Sequence, residues 1–166
     1  MQRRILILLV ALMAVLPGRN ALAAETDILT DVLKKVDALT CTTPSKITQF
    51  YGKNLVIMED DKRASLTHRI EDYERMIAEY DGMKCNFKRK VLAGGVGEKI
   101  GYVLVDETIN VHARLSGDER QHNFCSYIFS REQGQWKISH EHCTSLPDYT
   151  LLPGEDGLYY FHNPVY

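Results

Sequence analysis

The apolar residues of this chain change their period once, near Gly82, and that change limits the folds open to it. Before it they recur at helical spacing; after it they alternate. Over residues 25–39, Ile28, Leu29, Val32, Leu33, Val36 and Leu39 repeat every three or four positions and so share one face of a helix. Thr26 or Asp27 can cap its first turn. Thr43-Pro44-Ser45 reads as a capping threonine with proline at the first helical position, opening a short second helix to about residue 50. Residues 55–58 are continuously apolar, as a buried strand is. Glu59-Asp60-Asp61-Lys62 is a polar turn, and residues 63–66 form a return strand. Thr67 caps a third helix with Ile70, Tyr73, Met76, Ile77 and Tyr80 on one face, and Gly82 stands where a C-terminal capping glycine belongs.

Alternation begins at residue 84. Strands are expected over residues 84–93, 99–115 and 121–130, with turns at Gly94-Gly95-Val96-Gly97 and Ser116-Gly117-Asp118-Glu119. Gln133-Gly134 signals a two-residue hairpin into the last strand, Gln135-Trp136-Lys137-Ile138-Ser139-His140-Glu141-His142-Cys143. Helices followed by a meander make an α+β domain, its helices covering one face of a curved antiparallel sheet.

The ends of the chain read differently. Arg3-Arg4, an apolar run over residues 5–16 and Ala21-Leu22-Ala23 have the three parts of a secretory signal peptide, assigned to residues 1–23. The apolar run is too short to span a bilayer. The domain is then 24–147, and 148–166 is an extension carrying Tyr149, Tyr159, Tyr160, Phe161 and Tyr166, too aromatic for a disordered linker and expected to pack on the domain. Cleavage would remove Arg3, Arg4 and Arg19, leaving 17 basic and 22 acidic residues. That balance has no attraction to nucleic acid or to an anionic membrane. A periplasmic or secreted protein fits. Cys41, Cys85, Cys125 and Cys143 all follow the signal, so they are disulfide candidates, with all three pairings open.

The last strand places Trp136, Ile138, His140 and His142 on one side. Two-residue loops at Gln133-Gly134 and Gly117-Asp118 would set Tyr127 opposite His140, Cys125 opposite His142, Asn110 opposite Cys125 and Thr108 opposite Tyr127. One face then collects Asp106, Thr108, Asn110, His112, Cys125, Tyr127 and Phe129 with that tryptophan and those histidines. This is an aromatic wall with a few converging polar groups, as small-molecule pockets require. Val103, Val105, Ile109 and Val111 would form an apolar outer face. His140, oriented by Asp106, can move a proton at neutral pH, while Tyr127, Trp136, His142 and His112 would contact the ligand. His-x-His also suits a metal, but such pairs recur in sheets by chance and no metal or cofactor is expected. Gly94-Gly95-Val96-Gly97 precedes a strand, so it is not a phosphate cradle, which needs a helix next.

The element order and the closing Gly134-Gln135-Trp136-Lys137-Ile138-Ser139-His140-Glu141-His142, with Ser145 and Pro147, resemble the NTF2-like superfamily, in particular its SnoaL-like and DUF4440-type branch. The resemblance spans about residues 25–147. It implies a cone-shaped fold with a pocket inside and a homodimer through the outer sheet face. It also implies a choice among a steroid isomerase, dehydratases, polyketide cyclases and pure binding or oligomerisation modules. Met58-Glu59-Asp60 resembles the setting of the isomerase branch's general base, which adds Asp60 to the ligand-binding candidates. The tyrosine that branch takes from its first helix has no counterpart here. The reading is thus an exported domain binding a small, largely apolar molecule. The alternatives are an isomerase, dehydratase or cyclase acting on an apolar carbonyl compound through a histidine–carboxylate pair, or a dimerisation or interaction module.

Overall fold

A computed structural model describes residues 19–79, 83–113 and 117–146. Most of the expected signal peptide, Tyr80, the glycine cap at Gly82 and the aromatic extension lie outside the described residues. Helix α1 (Arg19–Thr40) leads into a 3₁₀ helix (Pro44–Phe50), then β1 (Tyr51–Glu59), β2 (Lys62–Ala64) and helix α2 (Leu66–Glu79). Four long strands follow, β3 (Met83–Val96), β4 (Ile100–Ala113), β5 (Gly117–Glu132) and β6 (Gln135–Ser145). Pro44 starts the short helix as expected, though the Thr43 side chain makes no capping hydrogen bond.

The six strands form one sheet in the order β2-β1-β6-β5-β4-β3, open at both ends. This is the expected α+β cone, with one correction: the sheet is mixed, because β1 runs parallel to β6. The chain leaves β1 through α2 and returns across the whole meander, so its last strand arrives beside its first in the same direction. The α1 face read from the sequence is the one buried: Leu29 and Leu33 are sealed against the sheet with Val32 and Val36, each contributing on the order of 1.5–3 kcal/mol. Close docking of this helix depends on Gly101, where a Cβ would sit 2.7 Å from Leu29 Cδ1.

Two features set which side chains face α1. At the β5–β6 hairpin, Gln133 (φ 50°) and Gly134 (φ 81°) form the expected two-residue turn, and Glu132 pairs with Gln135. Phe129 still faces Ile138, but Ile128 faces His140, so Ser139 is an extra residue in a β-bulge. Beyond it Tyr127 lies opposite Glu141, and Cys125 opposite Cys143. At the β4–β5 connection Gly117 and Asp118, the expected turn, already belong to β5, and Asn110 pairs with Arg120, five residues from the expected Cys125. That odd offset reverses β4: Val103 and Val105 point into the core and pair with Tyr127 and Cys125. The Gln133-Gly134 turn stands where it was expected and the bulge overturns the register beyond it; the Gly117-Asp118 turn does not form, and the β4 register is displaced with it. The four cysteines form two disulfides, Cys41–Cys85 tying the end of α1 to β3 and Cys125–Cys143 joining β5 to β6.

Candidate functional site

Under α1, the 3₁₀ helix and α2, the sheet leaves a cavity of about 300 Å³. Its apolar lining comes from Leu33, Val36, Ile47, Met76, Phe87 and Ile109. Charged groups stand among them. Arg89 reaches in from β3, where its Nε donates to Glu107 Oε2 (2.5 Å) and its Nη1 to Asp37 on α1. Glu107, almost fully buried on β4, also accepts from Tyr127 Oη and from Asn123 Nδ2, both at 3.4 Å. Arg69 on α2 makes the second cluster: Nη1 donates to the buried Glu141 Oε1 (2.6 Å) and Nη2 to Glu59 Oε1 (2.5 Å). Tyr51 Oη donates to Glu141 Oε2 at 3.1 Å.

The electrostatics single out Asp37. Its Oδ1 is buried and has no hydrogen-bond partner among the described residues. Burial pushes its carboxyl up to about 6 against the pull of Arg89, and the charges of Glu107 and Glu141 push the same way. Burial likewise lifts the phenols of Tyr51 and Tyr127 well above their ordinary value, with Glu141 adding to both, so they are neutral hydrogen-bond donors at physiological pH. A carboxyl that titrates near neutrality beside neutral phenols can bind a polar group or exchange a proton with it.

Residues 47–149 match the model of the SnoaL-like domain. The chain belongs to the SnoaL-like family. No curated protein sequence matches it. Solved structures share its fold at low identity. A conserved protein from Planctomyces limnophilus has a TM-score of 0.62 at 14% identity, covering 75% of this chain and 98% of that one. An NTF2-like superfamily protein from Salmonella enterica scores 0.59 at 11% identity, covering 80% and 99%. An NTF2-like protein of unknown function in nutrient uptake from Rhodospirillum rubrum scores 0.53 at 16%, covering 73% and 100%. Two of the three are described as NTF2-like; at such identities they speak for a shared fold alone.

Within this SnoaL-like domain the residues singled out in the sequence are scattered. Tyr127 lines the cavity, and Trp136 is buried in the adjoining core. His140 and His142 lie past the bulge, paired with Ile128 and Ser126 on the sheet face turned away from α1. His142 Nε2 is 3.3 Å from the Asp60 carbonyl oxygen. Asp106 is on that outer face too, where it meets His122 Nε2 at 2.7 Å, and it does not come together with His140. His112 is exposed and pairs with Asp118. Asp60 (φ 52°) serves the turn after β1: its Oδ1 accepts the Ser145 N–H at 2.8 Å. Glu107, Cys125 and Cys143 are the group of potential metal ligands among the described residues, with both sulfurs engaged in a disulfide.

Asp37, Arg69, Arg89, Glu107 and Glu141 were not found by sequence reading. A signal was present for two of them. Glu107 interrupts the apolar phase Val103, Val105, Ile109, Val111, and Arg89 interrupts Cys85, Phe87, Val91. Glu141 had none, since it follows Lys137 and Ser139 on the polar phase and turns inward only through the bulge. A charged residue on the apolar phase of a strand is buried and paired, or it lines a cavity. Asp37 and Arg69 had no such mark, because an acid or a base on an amphipathic helix ordinarily faces water.

Proposed function

We propose that this SnoaL-like domain is exported and binds a small molecule with a largely apolar body in its cavity. The supporting observation is the cavity's lining, in which aliphatic and aromatic side chains stand with a set of carboxylates, guanidiniums and phenols, the pattern of small-molecule sites. Export is supported by the three-part N-terminal segment and by two disulfides, which persist in oxidising compartments. No helix among the described residues is long and apolar enough to cross a membrane. The test is a thermal-shift screen of small apolar molecules, followed by calorimetry. A true guest at a hundred times its Kd stabilises the fold by about 2.7 kcal/mol. A panel that moves neither the melting transition nor a bound hydrophobic dye overturns the proposal.

A second reading is acid–base catalysis on a carbonyl compound, of the isomerase, dehydratase or cyclase kind. What favours it is Asp37, with its carboxyl held near neutrality beside the Tyr127 and Tyr51 phenols. Here Asp37 takes the part first assigned to His140 and Asp106. Under this reading Asp37→Asn abolishes turnover while the protein still unfolds cooperatively. The outer sheet face supports a homodimer: Tyr102, Phe124 and Ile128 stand exposed on it as large apolar side chains.

A further inference from the structure

We propose that the guest of this cavity is a small amine bound in its protonated form. The inference rests on the cavity-binding reading and names the chemical class that the wall selects. Five carboxylates line the wall; Asp72 pairs with the exposed Arg75, and the other four, Asp37, Glu59, Glu107 and Glu141, are matched by two guanidiniums, Arg69 and Arg89. Each guanidinium is already divided between two acids. No lysine or histidine lines the cavity among the described residues. An anionic guest would therefore find no free cation and an excess of its own charge. A neutral guest would leave the imbalance standing. An ammonium ion offsets it.

Three further observations agree. The buried Asp37 Oδ1 has no donor, and Glu107 Oε1 is held by a single long contact from Asn123, so acceptor capacity in this cluster is left over. Tyr51 and Tyr73 supply aromatic rings, whose faces attract cations, while Arg89 already stands over Phe87 and Tyr127. A volume of about 300 Å³ corresponds to roughly ten waters, which accommodates an arylalkylamine. Leu33, Val36 and Ile47 would receive the hydrocarbon end.

The experiment is calorimetry on the oxidised full chain at neutral pH with three probes of similar shape: 2-phenylethylamine, 2-phenylethanol and phenylacetate. The expected result is that the amine binds at least about tenfold tighter than the alcohol, with no heat from phenylacetate. Asp37→Asn and Glu107→Gln should each bring the amine-to-alcohol ratio toward one. Should either variant fail to fold, the three-probe comparison on the unsubstituted chain decides alone. Equal or tighter binding of the alcohol or the carboxylate overturns the amine assignment and leaves the cavity-binding reading intact. If no probe binds, and the methyl resonances of Leu33, Val36 and Ile47 do not move, both fall.

Discussion

Cys125 on β5 and Cys143 on β6 face each other directly, with Cα atoms 4.1 Å apart, and their disulfide forms part of the wall beside Glu107. They meet because Ser139 adds one residue to β6; without it Cys125 would face His142. Position and covalent bond therefore depend on the same irregularity.

The two disulfides close chain segments of different length, 44 residues for Cys41–Cys85 and 18 for Cys125–Cys143. Restriction of the unfolded chain makes the longer one worth about 4 kcal/mol and the shorter about 3. Denaturant titration of the Cys41→Ser/Cys85→Ser and Cys125→Ser/Cys143→Ser double variants should show losses in that order.

Arg89 holds two buried carboxylates. Replacing it with methionine leaves Asp37 and Glu107 uncompensated and should destabilise the fold by about 3–5 kcal/mol. Lysine should recover only part of this, since one ammonium cannot reproduce the separate Nε and Nη1 contacts. A triple variant with Asp37→Leu and Glu107→Leu as well should regain most of the loss, because the charges that needed pairing are gone. Urea midpoints of the three proteins check the series.

Asp37 makes stability depend on pH in an unusual sense. Its carboxyl is raised from an ordinary value near 3.8 to about 6 by burial, with Arg89 from β3 opposing and Glu107 from β4 and Glu141 from β6 assisting. A raised carboxyl binds its proton more tightly in the folded state, so its contribution is fully present below pH 4 and disappears as pH rises through 6. The amount is about 3 kcal/mol. Unfolding free energies of the native protein minus those of Asp37→Asn, measured from pH 4 to 7, should fall by roughly that much; a flat difference would contradict it.

The outer face gives a simpler test. Phe124→Glu and Ile128→Glu place charges among exposed apolar residues without touching the core. Light scattering should find the native chain dimeric and both variants shifted toward monomer.

What could be read in the sequence was whatever repeats. Leu29, Val32, Leu33 and Val36 declare a buried helix face, and the change to alternation declares the meander. The turn at Gln133-Gly134 was legible because such a turn favours residues that tolerate positive φ. Features that break repetition by one residue were hidden. Ser139 has nothing in its side chain that marks a bulge, and nothing marks Ala113 and Gly117 as the partners that set the β4–β5 register. Since side chains alternate, each odd offset exchanges the two faces of a strand. That is why His140, His142 and Asp106 were assigned inside while Glu107 and Glu141 occupy the interior. The pairing of Asp37 with Arg89 spans 52 positions and follows no local pattern at all.

The bulge at Ser139 works as a parity switch for the final strand. A single-codon deletion there would trade a carboxylate lining for an imidazole one and uncouple the two sulfurs, with every other residue unchanged. Relatives that gained or lost one codon at this point would share the backbone trace and yet offer chemically different interiors. Specificity in such a lineage can therefore shift by indel as readily as by substitution.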